Sequence, residues 1–405
     1  MRRVKHPIAA LAVLFSVLVV AAPSCGVEAP PAKSATGFSA AAISLGEAEL
    51  ARLMLSRPNS TVLTSPLSIE AALAMLGQGA RGATATNMAS GLGLKAQGMT
   101  LADAAAGYAG LRQRLTTSPD VTFALANGVW VDKSVSLSPG FAQAESGPFA
   151  ARIVGADLAA PAALASINGF VSSATRGEIP AILSSLTPDA KVVLVNALYF
   201  KGAWAVRFET GDTENEPFTT ADGRTLQTPT MHRQGEFRYY ETAGFQSVAL
   251  PYKDPRFELV LMLTKTPGAM PPPGWTAALA SQNFQPSEGS VALPKLDITW
   301  DGDLVASLRA AGLDVALGPA PDYGAMADGP FAVSQVAHKT RLIVDEAGTV
   351  GAAATAVVAP ATACAPPGCG GPPPFEFKAD RPFWLLLRET ATGAPIFLGY
   401  VAAPN

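Results

Sequence analysis

The chain has 405 residues, a length that fits one large domain or two ordinary ones. Charged residues make up 15% of it, well below the roughly 25% of an average protein, and the formal net charge is −3. This composition carries no electrostatic footprint for nucleic acid, so we expect no nucleic-acid partner.

The N-terminus has the pattern of an export signal. Arg2, Arg3 and Lys5 form a basic start, an apolar stretch follows over residues 7–22, and small residues come next. The apolar stretch is short for a membrane span. We therefore predict a signal peptide over residues 1–24. Its removal takes away three basic residues and changes the net charge from −3 to −6.

Cys25 stands at the end of this signal, where residues 22–26 are APSCG. The segment is similar to a bacterial lipobox, in which the cysteine is lipidated and becomes the new N-terminus. Ala22 stands where leucine is usual, and a plain secretory signal cut nearby is the alternative. The first interpretation anchors the protein to the cell envelope by a lipid on Cys25, and the second makes it extracellular. Residues 25–37 then form a tether.

Helical periodicity dominates the first part of the domain. We predict helices over residues 44–55, 65–76, 83–92, 101–115 and, further along, 162–173. Ser65 and Pro66 suit the start of the second helix, as an N-cap and a first helical residue. The segment GARG at 79–82 has no lysine that could bind phosphate, and it indicates a helix end and a turn.

Strand patterns dominate the remainder. They predict strands over residues 121–131, 191–200, 235–240, 246–251, 258–264, 290–300 and 340–344, a short helix over 304–311, and a C-terminal hairpin of 383–388 and 395–401. The run at 191–200 is nearly all apolar, which is typical of a central strand covered on both faces. Helices first and strands later, without regular alternation, predict an α+β fold in one domain over residues 38–405.

An unusual segment follows the strand at 340–344. Asp345 and Glu346 lead into a run of very small residues, namely Gly348, Thr349, Val350, Gly351, Ala352, Ala353, Ala354 and Thr355. Such a run cannot build a core, yet it lacks the charge of a solvated loop. Small residues can enter an existing sheet at little steric cost and satisfy ladder hydrogen bonds there. On composition alone, an alanine-rich linker and a segment that inserts as a strand are both open.

Cys364 and Cys369 flank two prolines and a glycine beyond this run. A metal site would need more ligands nearby, and none are present. In an exported chain we expect the two thiols to form a disulfide. We expect no metal and no cofactor.

Catalytic signatures are scarce in the mature chain. His232 and His338 are its only histidines once His6 leaves with the signal. The sequence has neither a Gly-x-Ser-x-Gly elbow nor a His-Glu-x-x-His pair. A Ser-His-Asp triad that used His338 would need partners that nothing in the sequence marks, so we do not expect an enzyme.

Several stretches together resemble the serpin family. They are Asn59 with SPLSIEAALAMLGQGARGAT at 65–84, LVNALYFKGAW at 194–204, LPYK at 250–253, LPK at 293–295, VAHK at 336–339, ADRPF at 379–383 and FLG at 397–399. One such motif would be weak, but these occur in order across the whole domain. The resemblance implies the serpin fold, with three β-sheets, about nine helices and an exposed reactive-centre loop at about residues 346–374.

This resemblance also implies a function. In the family, a target protease cleaves the loop, which then inserts into the main sheet as a new strand and traps the protease covalently. We therefore expect a bacterial, monomeric suicide-substrate inhibitor of serine proteases, with cysteine proteases as a second class of target. The alternative is a non-inhibitory serpin that acts as a carrier, chaperone or surface interaction module. The small hinge residues favour inhibition, although Val350 stands where the family usually has glutamate and Gly351 where alanine is common.

The resemblance assigns roles to individual residues. Glu346 and the small residues Gly348 to Thr355 would form the hinge of the loop. A polar cluster beneath the central strands would control sheet opening and would consist of Ser65, Ser68, Asn196 and His338. Unrelated core polar residues are the alternative. Lys295 and Glu346 would pair at the top of the sheet beside Trp204.

The scissile bond follows from two counts that disagree. Counting from the hinge glutamate gives Thr362–Ala363, whereas counting back from Pro382 gives a site near Gly371. We adopt the first count, because the inserting strand must span the sheet while the far side of the loop can be extended freely. The reactive centre is then Ala361, Thr362 and Ala363. These small, uncharged residues suit elastase-like or subtilisin-like proteases.

Overall fold

The computed structural model describes residues 33–349 and 373–404. The predicted signal peptide with Cys25, the hinge residues from Val350 to Thr355, the reactive centre and the cysteine pair lie outside these ranges. The described residues all belong to one structural unit. Among them, no helix combines the length and the apolar character that a membrane crossing requires.

The α-helices of the described residues are numbered in chain order. They are α1 Lys33–Ser56, α2 Pro66–Gln78, α3 Gly82–Gly91, α4 Leu101–Thr116, α5 Pro139–Phe149, α6 Pro161–Ala174, α7 Trp275–Ala278 and α8 Val305–Leu308. A π-helical turn, Arg309–Leu313, continues α8.

The strands are numbered in the same way. They are β1 Val62–Thr64, β2 Val121–Asp132, β3 Ser136–Leu137, β4 Arg152–Ala156, β5 Val192–Ala203, β6 Thr213–Thr219, β7 Thr225–Glu241, β8 Phe245–Pro251, β9 Phe257–Thr264, β10 Gln285–Pro294, β11 Leu296–Asp303, β12 Ala327–Asp328, β13 Val333–Val344, β14 Gly348–Thr349, β15 Phe375–Lys378, β16 Phe383–Glu389 and β17 Pro395–Val401.

Within the described residues these strands form three sheets. The main sheet has the order β11-β13-β5-β2-β4, and β14 also pairs with β5. A nine-stranded sheet has the order β1-β17-β16-β9-β8-β7-β10-β15, with β6 on β7, and β12 and β3 form the small third sheet. Together with the helices, this arrangement confirms the predicted α+β fold class.

Strand β5 lies at the centre of the main sheet and is buried on both faces. Even-numbered residues such as Leu194 and Leu198 join the core that contains α2. Odd-numbered residues such as Val193 and Val195 join a second core that contains α6. A strand with two buried faces needs apolar residues at nearly every position, which is why its sequence does not alternate.

Helix α1 begins at Lys33, well before the start predicted from the sequence. Residues 33–37 are therefore helical and were wrongly included in the predicted tether. The reason is close packing on α4. Ala35 and Phe38 are buried, and at Gly107 of α4 a Cβ atom would lie 2.5 Å from the carbonyl oxygen of Ser34.

The sequence pattern also misses or merges shorter elements. Helix α5 carries Gly140, Gly147 and Pro148, which weaken its helical signal. Strand β6 is largely polar and mostly exposed, so its sequence resembles a loop. The single strand expected over 290–300 is two strands, β10 and β11, because the chain leaves the first sheet at Pro294 and enters the main sheet at Leu296.

The helical start of the domain predicts unequal effects of two matched truncations on α1. Phe38→Ala should cost about 3–5 kcal/mol, because the ring is fully buried beside Tyr108. Leu55→Ala should cost less than about 0.5 kcal/mol, because Leu55 is 79% exposed. The midpoint of thermal unfolding should fall clearly only in the first variant. Equal midpoints would contradict the packing of α1.

Candidate functional site

A row of buried polar side chains crosses the centre of the main sheet. The register aligns His338 of β13 with Asn196 of β5, and Asn196 with Asn127 of β2. Nδ1 of His338 lies 2.8 Å from Oδ1 of Asn196, and Nδ2 of Asn196 donates to Oδ1 of Asn127 at 2.7 Å. All three side chains are buried. The row therefore links three adjacent strands through side chains as well as through the backbone ladder.

The start of α2 completes this row. The backbone N–H of Ser65 donates to Nε2 of His338 at 3.0 Å, and Nδ2 of Asn196 donates to the carbonyl oxygen of Ser68 at 2.9 Å. The Ser65 hydroxyl caps α2, while the buried Ser68 hydroxyl has no hydrogen-bond partner in the structure. The four predicted residues thus lie together, but the two serines take part through backbone groups rather than hydroxyls.

These contacts fix the protonation state of His338. A backbone N–H can only donate, so Nε2 must be unprotonated and Nδ1 must carry the hydrogen. Burial lowers the pKa of the imidazole to about 3, although its hydrogen bond with Asn196 acts in the opposite direction. A second proton, on Nε2, would turn that atom into a donor that faces the donating backbone N–H of Ser65, and their hydrogen bond would be lost. The row is therefore intact only while His338 is neutral.

Sequence reasoning missed two members of this network, Asn127 and Tyr108. Asn127 donates through Nδ2 to the hydroxyl of Tyr108 at 2.9 Å and to the carbonyl oxygen of Phe149 at 3.2 Å. The available signal was a lone amide inside an otherwise apolar strand. Its partners depend on strand register, which the sequence pattern does not give.

A second group of predicted residues surrounds the acidic turn after β13. Nζ of Lys295 lies 2.8 Å from Oε2 of Glu346, and the hydroxyl of Thr213 donates to Oε1 at 2.8 Å. Burial alone would raise the pKa of Glu346, but the hydrogen bonds from Lys295 and Thr213 outweigh burial and lower it. The carboxylate is therefore ionised at neutral pH and binds Lys295, between β10 and β11, and Thr213, the first residue of β6.

Trp204 binds the backbone of the same turn. Its indole Nε1 donates to the carbonyl oxygen of Asp345 at 2.9 Å, and its backbone N–H donates to that of Ala347 at 3.0 Å. The structure thus brings together the predicted Lys295, Glu346 and Trp204.

The first small residues of the predicted hinge form strand β14. This strand pairs antiparallel with the end of β5, where Gly348 lies opposite Ala203 and Thr349 opposite Gly202. Thr349 is fully buried, and its hydroxyl lies 2.6 Å from that of Tyr252. The hinge therefore begins inside the main sheet.

The place that β14 occupies is where β5 and β13 part. Their parallel pairing ends at Tyr199 and Arg341, and beyond this point β14 pairs with β5 and also contacts β13. Only glycine fits at position 348, because φ is +153° and a Cβ atom would lie 2.2 Å from the carbonyl oxygen of Gly202.

Comparisons with known proteins agree with this fold. The family model described as serpin (serine protease inhibitor) matches residues 45–404. Serpin-Z2A of Triticum aestivum is 33% identical over 390 residues, which cover 88% of this chain and 94% of that protein. An uncharacterized serpin-like protein of Thermococcus kodakarensis is 34% identical over 363 residues, which cover 87% of this chain and 82% of that protein.

A solved structure gives the same answer for the fold alone. Human thyroxine-binding globulin superposes with a TM-score of 0.81 at 24% identity, covering 92% of this chain and 100% of that chain. The chain belongs to the serpin family. The family consists typically of protease inhibitors rather than enzymes, and its members generally target proteases. The bacterial origin that the lipobox implies stays a prediction.

The neutral His338 predicts a pH-dependent stability difference. The unfolded chain protonates this imidazole below about pH 6.5, whereas the folded chain does so only near pH 3. Its stabilising contribution is therefore complete above pH 6.5 and is lost as pH falls, at about 1.4 kcal/mol per pH unit. The native protein should exceed His338→Gln in thermal midpoint at pH 7.5, and this gap should shrink at pH 5.

The comparison with His338→Gln is needed because other buried groups titrate with the opposite sign. Burial raises the pKa of Glu49 to about 7 and that of Glu70 well above its usual range, so each destabilises the fold as pH rises above about 4.5. Both groups are present in both proteins and cancel in the difference. A gap that stays constant from pH 7.5 to pH 5 would contradict the assigned state of His338.

Proposed function

We propose that this chain is a monomeric suicide-substrate inhibitor of serine proteases, with cysteine proteases as a second class of target. The observation that carries the proposal is the position of β14 between β5 and β13, where their pairing has ended. If the loop continues along this line after cleavage, it becomes a new strand of the main sheet. An acylated protease at its end would be carried with it.

The register of β14 gives the length of this strand. Thr349 lies opposite Gly202, so each further loop residue would meet the preceding residue of β5. Ala359 would then meet Val192, the first residue of β5. The predicted scissile bond, Thr362–Ala363, lies just beyond that point. The segment before the cut therefore matches the length of the strand that it would pair with.

Insertion would also improve the pairing of the sheet. β13 runs parallel to β5, and β14 runs antiparallel to it. A strand that continues β14 would replace one parallel pairing with two antiparallel ones, which are slightly more stable per residue. Each new backbone hydrogen bond would contribute about 1 kcal/mol net. This gain supports a loop that inserts spontaneously once it is cut.

Incubation with a panel of proteases tests the proposal. Elastase-like or subtilisin-like enzymes should form a complex with the protein that survives a denaturing gel. Trypsin-like enzymes should not, because no Lys or Arg occurs from Asp345 to Glu376. A panel in which every protease cuts the loop and none is trapped would refute the inhibitory mechanism.

Charge on the inward face of the hinge should convert the inhibitor into a substrate. At the register of β14, Ala353 would meet Leu198, whose side chain is fully buried in the core with α2. The same parity would turn Thr349, Gly351, Thr355 and Val357 inward. Ala353→Glu would bury an unpaired carboxylate at a cost of several kcal/mol, so cleavage should proceed without a trapped complex.

Val350→Glu is the matched control for this change. Position 350 would meet Lys201 on the opposite face of β5, so the same charge would gain a partner there. The control should retain the trapped complex on the gel. Undiminished complex with Ala353→Glu, or equal loss in both variants, would contradict the predicted register.

The position of cleavage decides between the two predictions of the scissile bond, Thr362–Ala363 and a site near Gly371. Because the inserting segment must match β5, we expect cleavage by an inhibited protease at Thr362–Ala363. Sequencing of the new N-terminus should give a start between Thr362 and Cys364. A start beyond Cys369 would overturn the count from the hinge and place the cut near Gly371.

We further propose an exported protein, either extracellular or anchored through a lipid on Cys25, with a disulfide between Cys364 and Cys369. A signal sequence and two closely spaced cysteines support this proposal. The ring would stiffen the loop beyond the cut. Failure of the mature protein to incorporate labelled fatty acid would exclude the anchor. Two free thiols in the denatured, unreduced protein would exclude the disulfide.

A non-inhibitory serpin is the second candidate. The fold superposes on that of thyroxine-binding globulin, whose name states that it binds a ligand, and this similarity favours the second candidate. The small hinge residues and the buried start of β14 favour inhibition. The protease panel decides between the two candidates.

A further inference from the structure

Tyr108 lies at the end of a chain of buried hydrogen bonds that starts at α2. Its side chain is fully buried, and its hydroxyl accepts from Nδ2 of Asn127 at 2.9 Å. Its ring stacks on Phe149 of α5 and packs against Phe38 of α1, each with a centroid distance of 5.6 Å. Helix α4 is therefore connected to the polar row of the main sheet through one hydroxyl.

The hydrogen bonds of this chain all run in one direction. From α2 towards α4, each group donates to the next in the order Ser65, His338, Asn196, Asn127 and Tyr108. Both amide hydrogens of Asn127 are used, one by Tyr108 and the other by the carbonyl oxygen of Phe149. Because an amide group turns as a rigid plane, these two acceptors fix the direction of the Asn127 oxygen. That oxygen in turn holds Asn196.

Opening of the main sheet would break this row at one place. A strand that enters between β5 and β13 separates Asn196 from His338. Asn196 would stay beside Asn127, because β2 and β5 remain paired. Two contacts orient Asn196 towards His338. One is its bond to the carbonyl oxygen of Ser68 in α2, and the other is its bond to Asn127, which depends on groups that α4 and α5 supply.

We propose that Tyr108 is a positioning residue for strand insertion. It holds the amides of Asn127 and Asn196 in the orientation that keeps His338 bound, and it thereby slows the separation of β5 from β13. This inference rests on the proposed function, since it concerns the opening that would admit the loop. It also makes α4 an element that influences insertion from outside the sheet.

Tyr108→Phe tests the role of the hydroxyl while it keeps the packed ring. The probe is a synthetic peptide with the sequence of residues 349–362, which should anneal between β5 and β13 without any protease and retard the protein on a native gel. We expect annealing to be about five-fold faster in Tyr108→Phe than in the unmodified protein. A residue that only stabilised the fold would lower the thermal midpoint and leave the annealing rate unchanged, and that result would overturn the proposal.

Tyr323→Phe is the matched control. Tyr323 is also buried, and its hydroxyl donates to the carbonyl oxygen of Ala316 at 2.9 Å. Within the described residues, its hydrogen bonds do not reach the polar row. Its annealing rate should equal that of the unmodified protein. The double variant Tyr108→Phe/His338→Gln should anneal less rapidly than the product of the two single effects predicts, since both changes act on one chain. Independent effects would contradict the shared chain.

Hydrogen exchange separates this inference from the proposed function. If the unmodified protein anneals no peptide, the insertion mechanism fails. Exchange of the backbone amides at residues 194–198 and 336–340 then decides the role of Tyr108 alone. Faster exchange in Tyr108→Phe, but not in Tyr323→Phe, supports the positioning role, and equal exchange in all three proteins overturns it.

Discussion

The polar row of Asn127, Asn196 and His338 is the interaction on which the main sheet depends. Apart from Asn196, the even-numbered residues of β5 from Val192 to Phe200 are all apolar and buried. Asn196 is therefore the position on this face where a directional side-chain hydrogen bond links the strands. In a low-dielectric interior, an unpaired amide or imidazole costs about twice what its hydrogen bond contributes. A slip of one residue in β5 would break both links of the row, and a slip in β2 or β13 would break one of them. The row therefore favours one register, and its His338–Asn196 link must break when β5 separates from β13.

The acidic turn constrains the chain at the end of the β5–β13 pairing, beyond Tyr199 and Arg341. Glu346 is held by Lys295 through its carboxylate and by the N–H of Phe208 through its carbonyl oxygen, while Trp204 binds the residues on either side. These contacts set the direction in which the chain leaves β13. As a result Thr349 reaches Tyr252 inside the sheet instead of turning into solvent. The starting point of the loop is thus determined by residues that lie far apart in sequence.

Local patterns predicted the long elements well and the site only in outline. Strands β2 and β5 were found within a few residues, because a run of buried apolar side chains needs no knowledge of partners. Helix α5 and strand β6 were missed, because proline, glycine and polar residues mask their period. The polar cluster was found through the family resemblance, which names its residues but not the atoms through which they pair. Which atoms pair is decided by register and by the angle of α2, and neither is encoded within a local window.

The small residues of the hinge follow from the size of the residues already in the sheet. In the closed state, Leu198 and Phe200 must fill the space above α2, and both are fully buried. Interiors are packed to crystal density, so a strand laid beside these residues has room only for small side chains. A larger side chain at one of these positions would add strain of about 1–3 kcal/mol. Gly351 would meet Phe200, and Ala353 would meet Leu198. The bulkier Val350 would meet Lys201 on the other face of β5, and Lys201 is only partly buried. In the proposed inserted strand, the departure from the usual family residue would therefore fall at the position where the sheet imposes the least steric constraint.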